Sequence, residues 1–99
     1  MQPELEQVIE AIKDDGAEKI ILFGSRVNGH SHADSDYDLA VIKQTDLPYH
    51  QRLKNLRLKL HTRLPLDLFV FTPTEFEATR VSNPLVAEIS KQGQVVYAK

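Results

Sequence analysis

The sequence predicts a single α/β (α+β) domain over residues 1–99: a mixed four-stranded sheet with helices packed largely on one side. Three observations carry that expectation. Short continuous apolar runs alternate with stretches whose apolar residues recur at helical spacing. Proline and glycine punctuate the junctions: Pro3, Pro48, Pro73 and Pro84 open helical stretches, and Gly16 and Gly93 close them. Finally, 99 residues with 41% hydrophobic content suffice for one core but not two.

Residues 3–15 read as an amphipathic helix, with Leu5, Val8, Ile9 and Ile12 on one face. Glu4 and Glu6 suit the positive N-terminal end of its dipole, whereas Asp14 and Asp15 sit at the unfavourable end. Residues 20–23 (IILF) form a continuous apolar run, as expected of a strand buried on both faces. Gly24 and Ser25 end it. Gly24 lets the backbone approach a ligand, and Ser25 can cap the helix that follows. Free N–H groups at a helix start hold anions such as phosphate. Residues 26–28 read as a short helical turn and residues 29–35 as a polar loop, whose His30 and His32 are read as solvated rather than metal-bound. A second buried strand follows at residues 39–42, with Asp36 and Asp38 at its entrance.

Residues 48–63 read as a second long helix, in which Tyr49, Leu53, Leu56, Leu60 and Leu64 repeat every three or four residues. Its flanks carry Arg52, Lys54, Arg57, Lys59 and Arg63, with no acidic residue from Leu47 to Leu66. This is either a solvated helix over a buried leucine stripe or a basic surface for an acidic partner. Few base-stacking aromatics accompany it, so direct nucleic-acid reading is not supported. Residues 66–71 (LDLFVF) form a third strand whose one charge is Asp67. A carboxylate there is either solvated or Arg-paired at the strand edge, or it serves a site. Thr72, Pro73 and Glu75 spell a capping box for a short helix ending near Arg80. Asn83 and Pro84 start another, with Leu85, Val86 and Ile89 facing inward, and residues 94–98 make a last strand at a sheet edge.

Side chains two apart on a strand point the same way, so Asp36 and Asp38 project together beside the Gly24-Ser25 turn. Oxygen ligands so arranged suit magnesium, which binds one or two carboxylates plus substrate phosphates. Gly24-Ser25, ten further residues and then Asp36-Tyr37-Asp38 resembles the motif of the DNA polymerase beta nucleotidyltransferase superfamily. The fuller pattern, Gly24-Ser25-Arg26 with Gly29 and Ser35-Asp36-Tyr37-Asp38-Leu39, resembles the minimal nucleotidyltransferases of bacteria and archaea. Many of those are the antitoxin half of a two-gene pair with a HEPN toxin.

The resemblance implies transfer of a nucleoside monophosphate from a nucleoside triphosphate to a hydroxyl. It implies two magnesium ions, bridged by Asp36 and Asp38, with Asp67 as the third carboxylate on a neighbouring strand. Gly24 and Ser25 would hold the outer phosphates. Arg26 would either contact those phosphates or pair with Asp34 or Asp36. ATP as substrate, a tyrosine of a HEPN partner as acceptor and a hetero-oligomer with that partner follow from family habit alone. Two alternatives stand beside this one: a non-catalytic nucleotide-binding antitoxin that neutralises its partner by contact, and a nucleotidyltransferase for a small molecule such as an antibiotic. A net charge of -2 favours no polyanion, the lack of cysteine excludes disulfides, and no apolar run reaches membrane-spanning length. A soluble cytoplasmic protein is the expectation.

Overall fold

The computed structural model describes residues 2–29 and 36–99. The elements follow as α1 (Pro3–Asp14), β1 (Lys19–Phe23), α2 (Ser25–Asn28), β2 (Tyr37–Ile42), α3 (Tyr49–Lys59), β3 (Leu66–Phe71), α4 (Pro73–Thr79), α5 (Pro84–Gln92) and β4 (Gln94–Ala98). The strands lie in the order β3-β2-β1-β4. β1 is antiparallel to both β2 and β4, and β2 is parallel to β3. The sheet is therefore mixed and four-stranded, with β4 at an edge, as the sequence predicts.

Alternation along the strands splits the core between two faces. Ile20, Leu22, Leu39, Val41, Leu68 and Val70 meet Leu5, Val8, Ile9 and Ile12 of α1 and Leu56 of α3 on one side. Ile21, Phe23 and Ala40 meet Ile89 of α5 on the other, with Phe69, Phe71, Phe76 and Leu85 around them. Helices thus cover both faces, where the sequence pointed largely to one. The two longer helices, α1 and α3, share a face, and the shorter α4 and α5 take the opposite one. The reason is topological. The chain must pass from β3 at one edge to β4 at the other, and α1 and α3 already occupy the first face.

The capping signals of α4 and α5 hold in detail. The Thr72 hydroxyl accepts from the Glu75 amide at 3.1 Å, and the Glu75 carboxylate accepts from the Thr72 amide at 2.9 Å. Asn83 caps α5 by accepting from the amides of Leu85 and Val86. By contrast α3 stops at Lys59, four residues short of expectation, because Leu60 turns extended at φ -97° and ψ 128°. Glu4 holds the segment that follows, accepting from the Thr62 hydroxyl at 2.6 Å and the Arg63 amide at 2.8 Å. Pro65 further disfavours helix in the residue before it.

Two of the expected surface cations of α3 are paired within the chain, Arg52 largely buried and Lys59 at the surface. Arg52 donates to both carboxylate oxygens of Glu75, at 2.7 and 2.9 Å, and to the carbonyls of Leu47 and Val70. Lys59 pairs with Asp15, which also receives Lys43 at 2.8 Å. The basic-surface reading therefore loses Arg52 and Lys59, and the leucine-stripe reading gains: Leu56 is buried, with Leu53, Leu60 and Leu64 packed against the core.

Candidate active site

The end of β1 and the starts of β2 and β3 meet at one end of the sheet. Phe23 lies opposite Asp38, and Asp38 lies opposite Asp67. Residues in register on adjacent strands share a face, so Asp38 and Asp67 leave backbones about 4.8 Å apart on the same side. Asp36 stands just ahead of β2. Asp38 is half-buried, while Asp36 and Asp67 are exposed. Burial pushes the Asp38 carboxyl above its ordinary range, and the charges of Asp67, Asp36 and Glu88 push it further in that order. The three predicted carboxylates thus act on one another. Glu88 was missed in the sequence because nothing local marks it; only the packing of α5 against β1, through buried Ile89, brings it near.

Gly24 joins β1 to α2 at φ 78° and ψ -151°, a conformation open essentially to glycine alone. Any Cβ at this position would overlap Asp38 Oδ2. Its small size therefore makes room first for a carboxylate of the site. The Val27 amide donates to the Gly24 carbonyl at 3.0 Å and closes the turn. Gly24 is the N-cap of α2 and supplies no side chain; Ser25 is the first helical residue, so its expected capping role is not observed. The hydroxyl is released from that duty by its position one residue inside the helix.

The Arg26 guanidinium lies 4.2 Å from the centre of the Tyr37 ring. His30, His32, Asp34 and Ser35 lie outside the described residues. Among the described residues no three acidic or histidine side chains are gathered closely enough to hold one ion between them as they stand. The donors suit a hard divalent cation all the same. Asp38 and Asp67 stand on adjacent strands with Asp36 just ahead, the carboxylates repel one another at Asp38, and the bare Cα of Gly24 makes room for Asp38 Oδ2.

A mixed sheet of this order, with a Gly-Ser turn facing an Asp-x-Asp strand, defines a small nucleotidyltransferase domain. Residues 6–99 match the family described as Polymerase beta, Nucleotidyltransferase, and the chain belongs to that family. Among solved structures it resembles a Sulfolobus solfataricus protein described as a nucleotidyltransferase, with 17% identity and a TM-score of 0.71 over 98% of this chain and 79% of that one. It also resembles a toxin–antitoxin structure with AMP-PNP, at 21% identity and a TM-score of 0.60, covering 95% and 73% of the two chains. A tyrosine-to-alanine mutant of the toxin–antitoxin MntA-HpeT is 25% identical with a TM-score of 0.62, covering 95% and 72%. No curated protein matches the chain. Among the described residues no helix is long and apolar enough to cross a membrane.

Proposed function

We propose that this chain is a magnesium-dependent nucleotidyltransferase that moves AMP from ATP to a tyrosine hydroxyl of a HEPN toxin, and so serves as a cytoplasmic antitoxin. The observation that carries the reading is the register of Asp38 with Asp67, beside Asp36, at the strand ends next to the Gly24-Ser25 turn. The toxin–antitoxin neighbours, one with AMP-PNP, support the choice of partner and nucleotide.

Asp36 and Asp38 would hold two ions, and Asp67 would hold the one nearer the acceptor. When bound, magnesium supplies charge neutralisation at the attacking and leaving oxygens. The chain's own residues do the positioning. Gly24 and Ser25 hold the outer phosphates through backbone N–H groups and the serine hydroxyl, and Arg26 contacts the same oxygens. The acceptor oxygen attacks the α-phosphorus, the bond to the β-phosphate breaks, pyrophosphate leaves, and Asp67 takes the hydroxyl proton. Catalysis is then mostly orientation and charge matching, as in other phosphoryl transfers.

The toxin–antitoxin neighbours also support a second reading, in which the domain neutralises its toxin by contact and uses its nucleotide site weakly or not at all. One experiment separates the two. The purified chain is mixed with the HEPN protein encoded beside it, ATP labelled on the α-phosphate and magnesium. Label on the partner, lost in Asp36→Ala, supports transfer. Neutralisation without label supports contact alone. Neither label nor neutralisation rejects both readings.

A further inference from the structure

The two helices that share one face of the sheet carry opposite charge on their outer sides. Helix α1 lies over β1 and β4, and α3 lies over β3. On α1 the exposed residues Glu6, Glu10 and Asp14 recur every four positions, so they form one stripe away from the buried Leu5, Val8, Ile9 and Ile12. The cation beside them, Lys13, reaches Glu10 at 3.5 Å and lies over the Tyr97 ring of β4. It balances one of the three carboxylates at most. On α3, Arg52 and Lys59 are taken by Glu75 and Asp15. Lys54 and Arg57 are left exposed, and among the described residues they form no ion pair.

Between the two charges stands Leu58, which is 71% exposed. Lys59 pairs with Asp15 and the Thr62 hydroxyl with Glu4, so the C-terminal end of α3 is the end that meets α1. Leu58 belongs to that end, and Lys54 lies one turn further from α1. Across the face the order is therefore acid, leucine, base. One exposed leucine alone is ordinary. The sign order around this one makes the face complementary to itself. A two-fold axis in the plane of the face, passing near Leu58, exchanges its two sides. It sets α1 of each copy on α3 of the other and brings the two leucines together inside a charged rim.

We infer that the α1/α3 face docks on the same face of a second copy of this chain. In the two-fold dimer, Glu6, Glu10 and Asp14 of each protomer face Lys54 and Arg57 of the other across a pair of Leu58 side chains. Helices of 12 and 11 residues offer a footprint at the low end of specific interfaces, so the dimer forms with a Kd of about 10–100 µM at low salt. The carboxylate site stays open in it. Asp38 stands opposite Phe23, a core residue of the α4/α5 face, which is the side of the sheet away from the contact. The dimer does not depend on the proposed reaction.

The test is sedimentation equilibrium of the full chain up to about 500 µM, at about 50 mM and about 500 mM salt. Wild type is compared with Lys54→Glu/Arg57→Glu, whose α1 and α3 are then both acidic, and with Glu6→Lys/Glu10→Lys, in which both lean basic. Wild type dimerises at low salt and less at high salt. Each reversal weakens self-association about tenfold or more, because like charges then meet at both contacts. An equimolar mixture of the two reversals associates again, to within about threefold of wild type, since each acidic helix finds a basic one. Plain damage to the fold predicts no such recovery. If either reversal fails to fold by circular dichroism, Lys54→Gln/Arg57→Gln and Glu6→Gln/Glu10→Gln take their place, and each still weakens the dimer. A wild type that stays monomeric at low salt, a dimer unmoved by the charge changes, or reversals that stay monomeric when mixed overturns the proposal.

Discussion

The charged residues at the two ends of the sheet behave in opposite ways. At the end holding the C-terminus of α1 and the finish of β2, carboxylates are matched to cations. Asp15 receives Lys43 and Lys59. Burial raises its carboxyl, but the two lysine hydrogen bonds outweigh that and hold it below the ordinary range. Glu75, beyond β3, is held by Arg52 down to about 2. At the other end, Asp38 is half-buried and its pKa is moved up by burial and by three further carboxylates. The same chain that neutralises its charges where they join helices to strands leaves them opposed beside the Gly24-Ser25 turn. Opposed buried charge is costly for a fold and useful to a site that takes a cation.

The sharpest way to break this contrast is at the opposed end. Asp36→Ala or Asp38→Ala should lower nucleotide transfer about a hundredfold or more, as loss of charge stabilisation does in a transition state, with circular dichroism unchanged. Transfer at the wild-type rate in the double variant removes the assignment. Gly24→Ala tests the same end through the backbone. A Cβ there meets Asp38 Oδ2 in a conformation that side-chain-bearing residues rarely adopt. It should cost about 1–3 kcal/mol, read from denaturant unfolding, and displace the carboxylate as well.

At the matched end, Arg52→Ala should destabilise by about 1–2 kcal/mol, since Glu75 is partly exposed and the pair is screened. For a domain of this size each kcal/mol is about 4–8 °C in Tm. Glu75 sets the pH dependence. Its folded pKa of about 2 lies below the ordinary 4.5, so its contribution is complete above 4.5 and is lost as pH falls toward 2. The gap in stability between wild type and Arg52→Ala should therefore narrow over that window, and a gap independent of pH there contradicts the pairing. The smallest stability effect belongs to Ser25→Ala. Because Ser25 is not the cap of α2, the change should cost under about 0.5 kcal/mol. If the hydroxyl holds phosphate, the Michaelis constant for nucleotide still rises, and an unchanged constant ends that role.

How much of this was legible depends on how far apart the deciding residues lie. The four strands, the apolar face of α1 and the Thr72-Pro73-Glu75 capping box are local patterns, and each is seen in place. The Gly-Ser and Asp-x-Asp motifs were legible for the same reason. The fate of Arg52 and Lys59 was not, because Glu75 and Asp15 lie 23 and 44 residues away in sequence. Leu60 looked like part of the helical stripe, but the backbone there follows Glu4, which grips Thr62 and Arg63 from α1. Glu88 and the stacking of Arg26 on Tyr37 depend on packing across elements, which periodicity does not encode. The face taken by α4 and α5 was set by the sheet order, not by their own apolar stripes.

The contrast between the two ends is tested most directly by thermal melts of Asp38→Asn and Asp15→Asn at neutral pH, in chelator and then with magnesium and ATP. The raised Asp38 carboxyl means that its charged form costs stability at neutral pH, and this cost fades as pH falls and the group takes its proton. The lowered Asp15 carboxyl means the reverse: its charge stabilises at neutral pH, and that gain is lost in acid. In chelator, Asp38→Asn should therefore melt at or above wild type, and Asp15→Asn below it. Magnesium with ATP should raise the Tm of wild type, since it binds the folded state, and leave Asp38→Asn nearly unmoved. An Asp38→Asn protein that melts below wild type in chelator and still gains as much from magnesium and ATP would contradict the account.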